Sequence, residues 1–437
     1  GTRWRPKDAD GSMGDGDSFM VYNADGTSAL TDKDGAVVTD AVLSSTRLRG
    51  NVTQQMPKKP FAVKLDKKHG VLDMPAHKRW VLLANWKDRT LMRNEVAFGI
   101  ADVFKQTFPN DGMAWNPSGQ HVELVYNGVY VGNYYLCEHV KIDGNRLDIN
   151  DPYDAEDAYS GNPADYGYLL EADDGYDETW KFTTACYVPF LFKDDGNDAM
   201  LTYAANLVRG IEDNLFKNTS AGYEAAFAQM DLTSFVDFWL VQELMMNSET
   251  KHPKSCYNYL NNGKMYAGPL WDFDWNTLPT SSTYSEESYS YTTSILSKNK
   301  AYHKRSGYPT APNSSDKNYI WYPMLVKNAT FKALAAERWN AVKGAIQAYV
   351  DAEIPRVQAA IAKSEAENNK MWPVDSGTSA WGSKRYSTYG IGGGFCGDEA
   401  KSFSDAVSTM QKTLTTRISG MNFVSTQTWP SVTYGSK

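Results

Sequence analysis

The spacing of apolar positions changes character partway along the chain. FAVKL (61–65) alternates by two, and WVLLA (80–84) is an unbroken apolar run of strand length, so both predict strands. Leu91, Val96, Ala97, Ile100 and Phe104 then fall near one face at helical spacing, which predicts a helix over 91–104. Two alternating runs, 122–126 and 129–136, are joined by Asn127-Gly128, the signature of a hairpin with a type I′ turn. YLLE (168–171) reads as a further strand. Beyond about residue 195 the period becomes helical, at 199–216, 221–230 and 232–246, with Asp231 at the N-cap position of the third. A Tyr-rich hairpin follows: YNYL (257–260), a turn at 261–263, then KMY (264–266). Residues 332–363 read as two helical segments split at Pro355, and 400–418 as a last helix.

This order predicts an α+β fold with a strand-rich N-terminal lobe and a helix-rich C-terminal lobe. The expected divisions are a turn-rich extension over 1–40, a strand-rich lobe over 41–195, and a helical lobe over 196–437 with an inserted hairpin. Asp-Gly pairs at 10–11, 25–26 and 34–35 mark turns in the extension. Residues 278–318 form a long Ser-, Thr-, Tyr- and Asn-rich loop. A ligand site is expected between the two lobes.

Composition narrows the function. The net charge of −8 argues against a nucleic-acid binder, which needs a basic surface. Hydrophobic residues make up 42%, enough for a buried core, and aromatics reach 13%, a surplus that suits either a core or a binding surface. The most apolar stretch, 235–246, is interrupted by Asp237 and Glu243, so no transmembrane segment is expected. The chain opens on Gly1 rather than Met, which suggests processing and an extracytoplasmic location. Cys137, Cys186, Cys256 and Cys396 contain no C-x-x-C pair and leave every pairing open. The six histidines lack H-x-x-x-H spacing, and no G-x-S-x-G occurs, so zinc and serine hydrolases are disfavoured. IGGGF (391–395) lacks a P-loop lysine, and the acidic turns DADG (8–11) and DGD (15–17) lack an EF-hand ladder.

Four constellations remain. In WDFDWN (271–276), Asp272 and Asp274 stand at i, i+2 after an apolar strand exit, flanked by two Trp. On a strand end they would point the same way, and shielded like charges need a cation or a shared proton. Arg47, Arg49, Gly50 and Asn51, followed by Lys58, Lys59 and Lys64, form a basic region in which a turn could present N–H groups to a phosphate. Glu249 ends NSE (247–249) at a helix end, and Glu138 follows an apolar strand, where a buried carboxylate needs a basic partner.

In order and spacing, several stretches together resemble the spore coat protein H (CotH) kinase family. They are RLRGNVTQQMPKKPFAVKLDKK (47–68), DMPAHKRWVLLANWKDRTLMRNEVAF (73–98), VELVYNGVYVGNYYLCEHVKI (122–142), GYLLEADD (167–174), DLTSFVDFWLVQELMMNSE (231–249) and KMYAGPLWDFDWN (264–276). The likeness runs from about 45 to 345, with FSDAVSTMQKTLTTRISGM (403–421) beyond. It implies a divergent protein-kinase-like fold, ATP with Mg2+ or Mn2+ as cofactors, and an unknown exported or surface protein as phosphoryl acceptor. It also implies site roles. Asp272 would be the metal-binding carboxylate, with Asp274 beside it. Lys64 or Lys58 would contact phosphate with Glu138 as ion-pair partner, and Arg49 would sit in the lid loop. The family's catalytic Asp in N-x-D is here Glu249, one methylene longer, and a displacement near 1 Å can cost on the order of 10²-fold. That departure keeps a second reading open, a non-catalytic surface adhesin using the tyrosines at 284, 289, 291 and 302. A third, calcium-stabilised glycan handling, rests only on the acidic turns.

Overall fold

The computed structural model describes residues 17–51, 53–151, 161–280, 290–298, 301–313, 316–373, 396–398 and 401–436. The IGGGF stretch, the acidic turn at 8–11, Tyr284 and Tyr289 lie outside them.

The strands come early. β1 (Asp17–Phe19), β2 (Leu30–Thr31), β3 (Val42–Leu48), β4 (Phe61–Val71) and β5 (Met74–Leu83) precede helix α1 (Arg93–Thr107). β6 (Gly119–Tyr126) and β7 (Val129–Glu138) follow. All seven strands join one antiparallel sheet in the order β1-β3-β4-β5-β7-β6, with β2 on β4. The β6–β7 turn has positive φ at Asn127 (51°) and Gly128 (77°), the geometry that the Asn-Gly pair predicts.

A second antiparallel sheet draws on both sides of residue 195. β8 (Tyr168–Ala172), β9 (Lys181–Thr183) and β10 (Pro189–Phe192) join β11 (Cys256–Asn261) and β12 (Lys264–Ala267) in the order β12-β11-β8-β10-β9. Between them run α2 (Asp198–Phe216), α3 (Ser220–Ala228) and α4 (Leu232–Leu244). The Asp231 carboxylate accepts the Ser234 N–H, so it caps α4 as its position predicts.

The C-terminal part holds the short α5 (Tyr322–Leu325), the long α6 (Ala329–Met371), α7 (Phe403–Gly420) and α8 (Asn422–Ser425). A short parallel pair, β13 (Ala301–Lys304) and β14 (Thr433–Ser436), closes the list. Here the sequence expectation is corrected: Pro355 does not split the segment, and α6 runs through it. Pro355 is exposed, so the carbonyl it leaves without a helical partner faces water. The buried stripe Val350, Ile354, Val357, Ile361 continues past it without a break.

Strand parity divides the core. Phe61, Val63, Leu65, Trp80, Leu82, Tyr134 and Leu136 pack on one face of the first sheet. Val81, Leu83, Tyr135 and Cys137 face the other way, into a large core shared with α1, α4, α6 and the second sheet. Within that core Asp237 meets Arg338 of α6 at 2.5 Å, and Glu243 meets Arg417 of α7 at 2.8 Å. The two charges that interrupt the apolar run are thus paired inside the fold. Among the described residues no helix is long and apolar enough to cross a membrane. All four cysteines are buried.

Candidate active site

The acidic pair sits on a loop, not on a strand end. After β12 the chain turns through Gly268-Pro269, and Asp272 takes a left-handed φ of 66°. The i, i+2 strand argument therefore does not apply, yet the two carboxyl groups still meet. The Asp274 carboxyl is hydrogen-bonded to that of Asp272, a contact that requires a proton between them. Asn94, near the start of α1, fixes the loop. Its Oδ1 accepts the Phe273 N–H at 2.7 Å, and its side chain also bonds Asp274. Phe273 is fully buried, and Trp271 stacks on Phe98 with ring centroids 6.2 Å apart, so the loop is anchored by its aromatics.

Glu249 belongs to a short 3-10 turn, Ser248–Lys251, that follows α4. The Asn247 Oδ1 accepts the Glu249 N–H at 3.1 Å, and the Asn247 amide is held by Gln242 at 2.9 Å. Burial holds the Glu249 carboxyl well above the usual range, and the charges of Asp272, Asp173 and Asp274 raise it further. Lys254 acts in the opposite sense. Glu249, Asp272 and Asp274 are therefore brought within electrostatic reach of one another.

A cluster of cations on the first sheet comes near the acidic loop through Arg49. Lys64 on β4 pairs in register with Arg79 on β5 and Ser45 on β3, while Arg47 pairs with Ala62. Parity puts Arg47, Lys64 and Arg79 on the face shared with Val81, away from the smaller core. Arg49 joins them, its guanidinium 5.3 Å from the centre of the Trp271 ring. His139 feels the same charges: burial pushes its imidazole well below the usual range, and Lys141, Arg49, Arg79 and Arg47 push it further.

Two expected site residues lie elsewhere. The Lys58 ammonium is fully buried, bonds the Ala84 carbonyl at 2.8 Å and the Asn133 carbonyl, and sits 4.6 Å over the Tyr134 ring. It ties the exit of β5 to the middle of β7 beside the smaller core. Glu138 pairs with Arg146 at 2.7 Å and accepts the Ser118 N–H at 2.9 Å. It stands opposite Trp80 in register, so it faces away from Lys64 and pairs with neither lysine. Asn94, Arg79 and Asp173 are the site residues to which the sequence reading gave no role. Asn94 stood in the RN pair of the family-like stretch, and Asp173 in its Asp-Asp-Gly turn. Asp173 accepts N–H groups from Gly175 at 2.7 Å and Ser255 at 3.1 Å, while burial and then Glu171 push its carboxyl up to about 7.

The donor set limits what can bind. Among the described residues no three of His, Cys, Asp and Glu converge as a cation cage. Mg2+ rarely uses such a cage; it takes one or two carboxylates and completes its shell with water and substrate phosphates. Asp272 and Asp274, with Arg49 over the adjoining Trp271 ring, fit a cation that arrives with a polyphosphate. They do not fit a stand-alone calcium site.

The proton in the pair gives the site a pH dependence. Burial, then the charge of Asp272, pushes the Asp274 carboxyl up to about 8, from an ordinary value of 3.8. The folded state thus keeps a proton that the unfolded chain releases. That contribution to stability is complete below 3.8 and is lost as pH rises through about 8. Asp274→Asn has no such proton, so its stability is expected to fall less than that of the wild type between the two values. Denaturant midpoints across that range check this, and equal slopes would contradict the assignment. A cation must displace the same proton, so affinity is expected to rise up to about tenfold per pH unit below the Asp274 value.

A family model described as CotH kinase protein matches residues 46–417. No curated protein matches the chain. The match covers most of the chain and takes in both the acidic loop and the cationic cluster, so this protein belongs to the CotH kinase family.

Proposed function

We propose that this protein is an atypical protein kinase that transfers the γ-phosphoryl group of ATP to a hydroxyl group of an exported or surface protein. The observation that carries the reading is the hydrogen-bonded Asp272–Asp274 pair, with the Arg49 guanidinium over the adjoining Trp271 ring and Arg47, Lys64 and Arg79 sharing one face of the first sheet. Phosphoryl transfer is mostly positioning and charge neutralisation, and this arrangement offers both signs of charge around one loop. An antiparallel sheet over a largely helical body, with α1 between β5 and β6, supports a divergent kinase-like arrangement.

Mg2+ or Mn2+ arriving with ATP would be held by Asp272 and Asp274 and would neutralise charge on the phosphates. Arginine forks at 47, 49 and 79 suit the non-bridging phosphate oxygens, with Lys64 as a point charge beside them. Glu249 is the acceptor's base. Its Oε takes the hydroxyl proton as the hydroxyl oxygen bonds to the γ-phosphorus, the bond to the β-phosphate oxygen breaks, and ADP leaves. Neutralising Asp272 and Asp274 removes two of the influences that keep Glu249 protonated, while Lys254 favours the ionised form. An extracytoplasmic location, secreted or at the cell surface, is part of the proposal and follows from the family resemblance.

The experiment is incubation with γ-labelled ATP and Mn2+ or Mg2+, with the chain itself and a generic Ser/Thr-rich protein as acceptors. Label above an EDTA control is expected. Its absence, with nucleotide binding intact, would favour the second reading, a non-catalytic binding protein on the same frame. The longer carboxylate at Glu249 is the feature that favours that alternative.

A further inference from the structure

The acidic loop is held from behind by a segment far along the chain. Asp398 is fully buried, and its Oδ2 pairs with Arg93 Nη2 at 2.7 Å. Arg93, equally buried, uses Nη1 on Asp88 at 2.5 Å and Nε on the Thr277 carbonyl at 3.2 Å. Asp88 in turn accepts the Arg93 N–H at 2.8 Å, which caps the start of α1. The next residue is Asn94, which holds Phe273 and Asp274. The same segment grips the outgoing end of the loop: the Thr280 N–H donates to the Cys396 carbonyl at 2.7 Å, and the Cys396 thiol donates to the Thr277 carbonyl at 3.0 Å.

We infer that Asp398 is a positioning residue for the acidic pair, acting through Arg93. A guanidinium is planar, and bonds to Asp88, Asp398 and Thr277 fix its plane and the start of α1 together. That sets where Asn94 meets Phe273 and Asp274. Partners that orient a binding carboxylate typically alter cation affinity 10- to 100-fold when removed. The inference rests on the cation–nucleotide reading only for its effect on binding; the effect on the loop is independent of it.

The test uses hydrogen–deuterium exchange on the full chain without nucleotide, following peptides over 271–280, together with calorimetric titration of Mn2+–ATP. The variants are Asp398→Asn, the charge-keeping Asp398→Glu, and Asp237→Asn as a matched control. Asp237 is also a buried carboxylate on an arginine that keeps a second acid, since Arg338 also meets Asp111 at 3.0 Å. Asp398→Asn is expected to speed exchange over 271–280 by roughly tenfold or more and to weaken Mn2+–ATP by about 10- to 100-fold. Asp398→Glu is expected to stay closer to wild type in both, and Asp237→Asn to leave 271–280 unchanged. Wild-type exchange in Asp398→Asn overturns the inference whatever the nucleotide does. So does equal acceleration in Asp237→Asn, which would mean general loosening. If exchange rises as expected while wild type takes up no Mn2+–ATP, the positioning role stands and the nucleotide reading fails.

Discussion

Glu249→Gln is expected to lower phosphoryl transfer by about 10²- to 10⁴-fold while leaving nucleotide binding nearly intact, the range for loss of a positioned general base. The amide keeps the size of the side chain and its place after Asn247, whose Oδ1 bonds the Glu249 backbone and not its carboxyl. What is lost is the ability to accept a proton. Burial and the charges of Asp272, Asp173 and Asp274 make the wild-type carboxyl take up a proton on folding, which the amide does not need, so the variant is expected to be no less stable than wild type. Glu249→Asp separates two ideas. If it is faster than wild type, the extra methylene handicaps transfer; if it is slower, this site is built around the longer side chain. Steady-state rates with labelled ATP, alongside denaturation midpoints, check both. A Gln variant that transfers at the wild-type rate would remove Glu249 from the chemistry.

Asp272→Ala is expected to have the larger effect on binding. It deletes one of two carboxylates available to a cation and releases its partner from a shared proton. Burial, the larger cause, still holds the Asp274 carboxyl above its ordinary value, but without a like charge at close range it should fall below about 8. The loop itself should persist, because Asn94, Phe273 and Trp271 hold it by contacts that do not use Asp272. The variant should therefore fold, lose cation-dependent nucleotide binding by 10²-fold or more, and lose transfer with it. Binding isotherms in Mg2+ and in EDTA test this; an unchanged affinity would mean that the cation, if any, sits elsewhere.

Local patterns carried much of the fold. Asn127-Gly128 dictates its hairpin because both residues tolerate positive φ, and Asp231 caps α4 because its carboxylate reaches the Ser234 N–H. Pro355 predicts a break because proline removes a helical hydrogen bond, but that cost is small at an exposed position where the buried stripe continues. The site was legible where sequence neighbours act together, as in Asp272 and Asp274. It was illegible where pairing across strands decides. Glu138 and Lys64 face opposite sides of the sheet only because β5 lies between their strands in one register. Lys58 is turned inward by carbonyls at residues 84 and 133, remote in sequence. Arg79 and Arg47 come to share a face with Lys64 by the same cross-strand registry, which no local pattern encodes. Arg93, similarly, waits for an aspartate 305 positions later.

The central claim is that the acidic pair takes a divalent cation only together with a polyphosphate. Its most direct test is calorimetric titration of ATP into the wild-type protein near pH 8, where Asp274 is giving up its proton, in Mg2+ and again in EDTA. The account predicts saturable binding in Mg2+, sharply weaker binding in EDTA, and little heat from Mg2+ alone. Absence of binding at millimolar ATP in Mg2+, or equal binding with and without the cation, would contradict it.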